Sequence, residues 1–273
     1  MTIRVGFLGA GNIARYHARM VISAISDDEV DARIVGAHDP TDDGRAASFV
    51  DRFGGEVASS AEALVDAADA VYVCTWTAAH PELVELAVGA GRAVFCEKPL
   101  GVDLAAARRV HDLLVDSRRP HQVGLVLRRS PAFTVLRSLV QDDTAGAPMA
   151  MVFRDDQYLP VQGAYASTWR GDRHLAGSGV LMEHSIRAID LIEWLLGPVT
   201  RVGATMAAHH GIDGIEDVAT VSFETASGAA GSLVTVWHDV RSRPSQRFVE
   251  VISAARVSRR EGEWTGTVAW EDG

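Results

Sequence analysis

The sequence predicts an α/β protein in two parts. Residues 1–124 read as a parallel sheet with helices on both faces, and residues 125–273 as an α+β region with a mostly antiparallel open sheet. Three observations carry this. Short apolar runs alternate with helix-length stretches from Ile3 to about Leu127, the pattern of repeated strand–helix–strand units. A Gly-x-Gly-x-x-Ala turn, Gly9 to Ala14, separates the first apolar run from the first helical stretch. After Arg128 two helical stretches and several strand-like runs joined by turns take over, which favours antiparallel pairing.

Residues 5–8 read as a buried strand and 12–25 as a helix. Between them Gly9 allows a tight turn, Gly11 lets a pyrophosphate approach the backbone, and Ala14 lets helix and strand pack closely. Asn12 and Ile13 open the helix, where unpaired N–H groups and the positive dipole end favour phosphate. Residues 32–37 give a second strand and 44–53 a helix closed by Gly54-Gly55. Ser60 caps a third helix, and 70–75 is a strong third strand. Pro81 sits in the favoured first turn of a helix that ends at Gly89 to Gly91. A strand at 93–96, a helix at 104–117 and a strand at 122–127 complete the first part. In the second part, helices are expected at 131–141 and 180–196, the latter closed by Gly197-Pro198. Strands are expected at 149–153, 199–208, 218–223, 230–237 and 248–252.

Composition excludes several classes. With 47% hydrophobic residues the chain can bury a large core. A net charge of -10 argues against nucleic-acid and anionic-membrane surfaces. No apolar run is long enough to span a bilayer, and no secretory leader precedes the first strand. Cys74 and Cys96 lie in apolar runs and fit a reduced, cytoplasmic setting. His209-His210 has no cysteine or carboxylate at ligand spacing and reads as loop, so no metal site is expected.

Asp39 follows the second strand. A carboxylate there accepts hydrogen bonds from adenosine ribose hydroxyls and repels a 2′-phosphate. With Asp42 and Asp43 nearby and Arg45 as the one close base, NAD is favoured over NADP. The spacing from the glycines exceeds the usual ~20 residues, and Asp39-Pro40 also suits a simple turn.

Four stretches together resemble the Gfo/Idh/MocA oxidoreductase family, named for glucose–fructose oxidoreductase and inositol dehydrogenase. They are Gly-Phe-Leu-Gly-Ala-Gly-Asn-Ile-Ala at 6–14, Cys-Thr-Trp-Thr-Ala-Ala-His-Pro at 74–81, Glu-Lys-Pro-Leu at 97–100, and residues 177–197. The resemblance implies an N-terminal Rossmann domain that binds NAD and a C-terminal domain that binds substrate and forms a homo-oligomer, a dimer through its open sheet. It implies hydride transfer between nicotinamide and a hydroxyl-bearing carbon of a sugar, cyclitol or related polyol, bound in the cleft between the domains. Lys98 would then sit beside nicotinamide and the substrate hydroxyl, with Thr75, Thr77 and His80 along the cofactor. Independently, Lys98 lies past the carboxyl end of a strand, where open α/β sheets place ligands. A partly desolvated lysine near a cationic ring would have a lowered pKa and shuttle a proton. Glu97 orients Lys98 or binds the nicotinamide ribose. Without the resemblance, Glu97-Lys98 reads as a surface pair before a helix.

Residues 177–190 match the family's Gly-Gly-Gly-x-Leu-x-Asp-x-Gly-x-His-x-x-Asp, with Glu183 in place of the aspartate and Arg187 in place of the histidine. Arginine does not release its proton at accessible pH. Three consequences stay open. Lys98 transfers the proton alone, Glu183 or His184 assists, or the chain is a redox-neutral lyase or hydrolase, or a non-catalytic NAD-binding protein. Arg187 suits a substrate carboxylate or phosphate held bidentately; it also suits a helix ion pair with Glu183. Arg128, Arg129, Trp169 and Arg170 fall where the family lines its substrate pocket, and Trp237-His238-Asp239 is a further candidate. The chain ends at Trp270-Glu-Asp-Gly273, where a shortened last strand would expose a sheet edge and weaken a dimer.

Overall fold

A computed structural model describes every residue except 42, 164, 244, 262–264 and 271–273; of 265, 266 and 270 it describes the backbone alone. Asp42 and the chain end after Trp270 therefore lie outside the described residues. The chain forms two compact units, Met1–Gly124 and Leu125–Gly273.

The first unit holds strands β1 (Ile3–Leu8), β2 (Ala32–His38), β3 (Glu56–Val57), β4 (Ala70–Val73), β5 (Ala93–Cys96) and β6 (His121–Val123). Its helices are α1 (Asn12–Ser26), α2 (Arg45–Phe53), α3 (Ala61–Ala67), α4 (His80–Gly89) and α5 (Leu104–Asp116). All strand pairs are parallel, in the order β3-β2-β1-β4-β5-β6. The chain builds outward from β1 to β3, then returns to β4 on the other side. That reversal between β1 and β4 is where doubly wound sheets bind ligands. Two apolar clusters flank the sheet, one around Phe7, Ala14, Ala18 and Phe49, the other around Leu8, Leu64, Val71, Val84 and Leu114. The register sets Phe7, Tyr72 and Phe95 side by side, with each neighbouring pair of rings stacked 4.8 Å apart.

The expected strand at 122–127 is shorter. β6 ends at Val123, and Val126–Arg129 forms a 3-10 turn. Leu127 leaves the sheet to pack against the core of the second unit, so its apolar character marks burial rather than strand.

The second unit holds α6 (Pro131–Val140), β7 (Pro148–Tyr158), α7 (Arg173–Ala176), α8 (Ile186–Leu196), β8 (Val199–Ala207), β9 (Val218–Thr225), β10 (Ala230–His238), β11 (Gln246–Ser253), β12 (Arg256–Glu261) and β13 (Thr265–Trp270). The sheet order is β13-β12-β11-β7-β10-β9-β8. Every pair is antiparallel except β7 with β10. Phe133, Leu136, Leu191 and Leu195 from α6 and α8 pack on Phe153, Val221, Leu233 and Val249. β7 and β9 alternate buried and exposed side chains, the mark of a sheet covered on one face. The expected continuous helix at 180–196 is divided. Val180–His184 is a π-helical turn, and α8 begins at Ile186.

Candidate active site

The glycine turn is built to leave room. Gly9 has φ +96, and a Cβ there would come within 2.6 Å of the Cys74 carbonyl oxygen, so the close approach of the chain just past the ends of β1 and β4 excludes every other residue. A Cβ on Gly11 would meet nothing within 4 Å. Gly11 caps α1 without a side-chain hydrogen bond, so the first helical N–H groups, those of Asn12 and Ile13, lack a side-chain cap. Asp39 braces this turn. Its Oδ2 accepts the Ala10 N–H at 2.7 Å and its Oδ1 the Thr41 N–H at 3.0 Å. Asp43 engages Arg45 through two side-chain hydrogen bonds to Nε, at 2.8 and 2.9 Å, so that cation is already matched. In the loop after β4, Thr77 Oγ1 is buried and has no hydrogen-bond partner among the described residues. An open glycine cradle, an uncapped helix start, an acid beside both and an orphaned hydroxyl together fit a dinucleotide.

Lys98 follows β5 and is 7% exposed. Glu97 N–H donates to Val73 O at 2.9 Å, which carries the chain across to β4. Glu97 is itself buried. Its Oε1 lies 2.8 Å from His17 Nε2 on α1, and its Oε2 accepts the Lys98 N–H at 3.0 Å. His80 ties the two loops together: Nδ1 is 2.7 Å from Pro99 O and Nε2 3.3 Å from Thr75 O. Burial pulls the His80 pKa below its ordinary value, against the pull of both carbonyls.

The second unit carries a buried polar cluster. Glu183 meets Arg170 at 2.9 Å, and the Arg170 guanidinium also lies over the Trp169 ring at 4.6 Å. His184 is 2% exposed and lies 3.0 Å from Asp155 Oδ1, as does Arg247 Nε. Burial lowers the His184 pKa, with Arg187 and Arg247 adding to the effect against Asp155. Burial alone would raise Asp155, but His184, Arg247 and Arg187 hold it below the usual carboxylate range. Ser185 Oγ donates to Thr235 Oγ1 at 2.6 Å on the same face. Asp190 pairs with Arg128, Nε to Oδ2 at 2.7 Å. Glu216 caps the π-helical turn: its carboxylate accepts from Ser178 Oγ, Gly179 N and Leu181 N at 2.6, 2.7 and 3.0 Å. Trp237 is core, packed with Trp169, Leu159 and Val180.

Sequence reasoning missed His17, Asp155, Glu216 and Arg247, whose partners lie far along the chain. It also missed a signal in the composition. Of 26 lysines and arginines, Lys98 is the sole lysine and the other 25 are arginine. His210 also proved partnered, with Asp217 at 2.6 Å and Asp239 at 3.0 Å. Among the described residues no His, Cys, Asp and Glu group could hold a metal ion.

The strand order, the glycine turn and the bracing acid define a dinucleotide-binding α/β protein. Residues 3–125 match a family model described as "Oxidoreductase family, NAD-binding Rossmann fold", and 133–255 match the GFO/IDH/MocA C-terminal domain. The chain belongs to the GFO/IDH/MocA oxidoreductase family. It is 31% identical over 232 residues to an inositol 2-dehydrogenase of Cereibacter sphaeroides, covering 84% of this chain and 65% of the relative. An inositol 2-dehydrogenase of Rhizobium meliloti is 32% identical over 238 residues, covering 84% and 67%. A 1,5-anhydro-D-fructose reductase of Ensifer adhaerens is 31% identical over 225 residues, covering 78% and 63%. The chain thus spans about two thirds of the length of these relatives. Levoglucosan dehydrogenase in complex with NADH shares the fold at TM-score 0.90 and 21% identity, over 99% of this chain and 76% of that one. The WlbA dehydrogenase from Bordetella pertussis, in complex with NADH and UDP-GlcNAcA, does so at 0.87 and 22%, over 99% and 77%.

Proposed function

We propose that the chain is an NAD-dependent dehydrogenase acting on a hydroxyl-bearing carbon of a sugar, cyclitol or related polyol. The observation that carries this is Lys98. In a chain that uses arginine for every other cation, lysine stands at the one place where a cation must also give up its proton. Arginine cannot do so at accessible pH.

Gly9, Gly11, Asn12, Ile13, Asp39, Thr75 and Thr77 would hold NAD, which supplies a hydride acceptor when bound. Asp39 and the matched Arg45 favour it over NADP. The neutral Lys98 amine accepts the substrate hydroxyl proton at Nζ in oxidation, and the ammonium returns it in reduction. Glu97 and His80 hold the Lys98 loop in place. Arg128, Trp169, Arg170, Glu183 and Arg187 bind substrate, and Arg187 favours one with a carboxylate or phosphate. His184, buried against Asp155, fixes the position of these groups. Two buried free cysteines support a reduced, cytoplasmic setting. No helix among the described residues is long and apolar enough to cross a membrane. Exposed Val202 and Met206 on β8, at 70% and 58%, support a homodimer through the sheet.

The test is NADH formation by the purified protein against neutral polyols and their acid counterparts, with Lys98→Ala as control. Turnover should fall about 10²- to 10⁴-fold in the variant while NAD binding persists. Equal turnover in both proteins overturns the assignment. Arg187 in the histidine position favours a second reading, redox-neutral chemistry on retained NAD. NAD that copurifies and is never released as NADH would point to it.

A further inference from the structure

We infer that Glu216 is a positioning residue for Glu183, acting through the π-helical turn Val180–His184. The inference rests on the dehydrogenase reading for its functional meaning, and on the second unit alone for its geometry. An ordinary cap comes from the residue next to a helix and satisfies one or two of its first N–H groups. Glu216 comes from the loop between β8 and β9, 38 residues beyond Ser178, and takes each amide at the start of the turn. Its carboxylate accepts the Gly179 and Leu181 N–H groups at 2.7 and 3.0 Å. Its carbonyl accepts the Val180 N–H between them at 2.8 Å. Ser178 Oγ adds a fourth bond, to Oε2 at 2.6 Å.

The hold reaches Glu183 in one further step, because the Glu183 N–H donates to Gly179 O at 2.8 Å. This path runs through backbone groups, so it is the same whatever the Glu183 carboxylate touches. Glu216 is in turn fixed by both of its neighbours. Ile215 is buried in the cluster that holds Val180 and Trp237. Asp217 is buried too and accepts the His209 and His210 N–H groups at 2.9 and 2.6 Å. Its carbonyl takes the Trp237 N–H of β10 at 2.7 Å.

Single π-helical turns are rare and fall frequently at functional sites. Here the turn closes through the Ser185 N–H to Val180 O at 2.9 Å, and α8 follows directly. With Glu216 gripping its start and α8 its end, Glu183 and His184 enter the buried polar cluster side by side. A binding carboxylate has to be held within about 0.5 Å of its productive position, and the grip of a fixed acid on the turn supplies that. Loss of the Glu216 carboxylate leaves the donors of Ser178, Gly179 and Leu181 without their acceptor, which is costly for groups shielded from water. The turn then relaxes toward other acceptors and carries Glu183 with it.

The test uses the whole protein, with inositol or the panel polyol that the parent oxidises best. Glu216→Ala should raise KM for that polyol roughly tenfold, with kcat within about threefold and KM for NAD within about twofold. A change that only loosens the fold lowers Tm and leaves the KM of the folded enzyme alone. Val249→Ala, in the core of the same unit, is that control. Glu216→Gln, which keeps an acceptor, should raise KM only about threefold and stands in if Glu216→Ala does not fold. In a Glu183→Gln background, Glu216→Ala should add less than about twofold, because it acts through that residue. Hydrogen exchange read by mass spectrometry needs no substrate. Peptides over 178–185 should exchange about tenfold faster in Glu216→Ala, and those over α6 and β11 within about twofold of the parent. An unchanged KM, an unchanged exchange rate, or effects of Glu216→Ala and Glu183→Gln that simply multiply overturns the inference. If the parent oxidises no polyol while exchange still quickens over 178–185 alone, the dehydrogenase reading fails and the positioning role stands. If the parent turns over and neither KM nor exchange shifts, the reverse holds.

Discussion

Lys98 and Arg187 divide the work of charge between a cation that titrates and one that does not. Lys98→Arg keeps the positive charge and most of the volume, yet removes the group that can lose a proton. The expected outcome is a kcat reduced about 10²- to 10⁴-fold, with NAD affinity by fluorescence titration changed less than threefold. Retained turnover would show that Lys98 serves by charge alone. Asp39 offers a second test at this scale. Its carboxylate accepts the Ala10 N–H, and a charge-assisted bond of this kind is worth about 1.5–3 kcal/mol. Asp39→Ala should therefore weaken NAD binding roughly tenfold or more, and Asp39→Asn, which keeps one acceptor, should weaken it less. Much of this was legible from spacing, because the glycine turn, Asp39 and Glu97-Lys98 each follow a strand end. The bracing role of Asp39 was not, and neither was His17: its partner is 80 residues on, and no local pattern records which face of α1 meets β5.

The elements show a similar division. The alternation in the first unit announced its helices and most of its strands, because each buried strand is a short apolar run. β3 escaped notice since its two residues are exposed and present no pattern. β12 reads as charged, Arg-Val-Ser-Arg-Arg-Glu, yet it pairs along β11 and places Arg260 over the Phe133 ring at 4.3 Å. Its cations cover apolar surface with their stems, and hydropathy cannot register that. The π-helical turn is the least legible element and depends on a distant cap. Glu216 supplies three acceptor contacts to its start, and Gly179 passes so close that a Cβ would stand 1.9 Å from the Glu216 carbonyl oxygen. Glu216→Ala should cost about 1–2 kcal/mol, as loss of a helix cap does, and lower Tm by roughly 2–8 °C. Glu216→Gln should cost less. A Tm unchanged by Glu216→Ala would mean that packing alone holds the turn.

Across the whole molecule, histidines of opposite sign set how stability follows pH. Burial pulls His80 and His184 below the ordinary value, so below about pH 6.5 the unfolded chain binds protons that the native state refuses. Their contribution therefore falls as pH drops through 6.5. Asp69, held by Arg4 at about 2, and Asp155 extend that acid loss, which sets in below about pH 3.9 as their unfolded carboxyls protonate. His210 works the other way. Burial pulls it down, but hydrogen bonds to Asp217 and Asp239 outweigh this and raise it. Its contribution is complete below about 6.5 and disappears as pH rises through the raised value. His210→Asn should then lower Tm most near pH 5.5–6 and least near pH 9. Asp239 is well exposed, so screening limits the pair to about 0.2–1 kcal/mol, or up to roughly 4 °C. Salt at 1 M should remove most of the Asp239 share, since exposed charges are screened within about 3 Å there, while the bond to buried Asp217 persists. A Tm difference constant from pH 5.5 to 9 would instead place the role of His210 in packing of the 208–217 loop. The acid-side slope should survive the substitution in either case, because it arises from His80 and His184, each buried within a different unit.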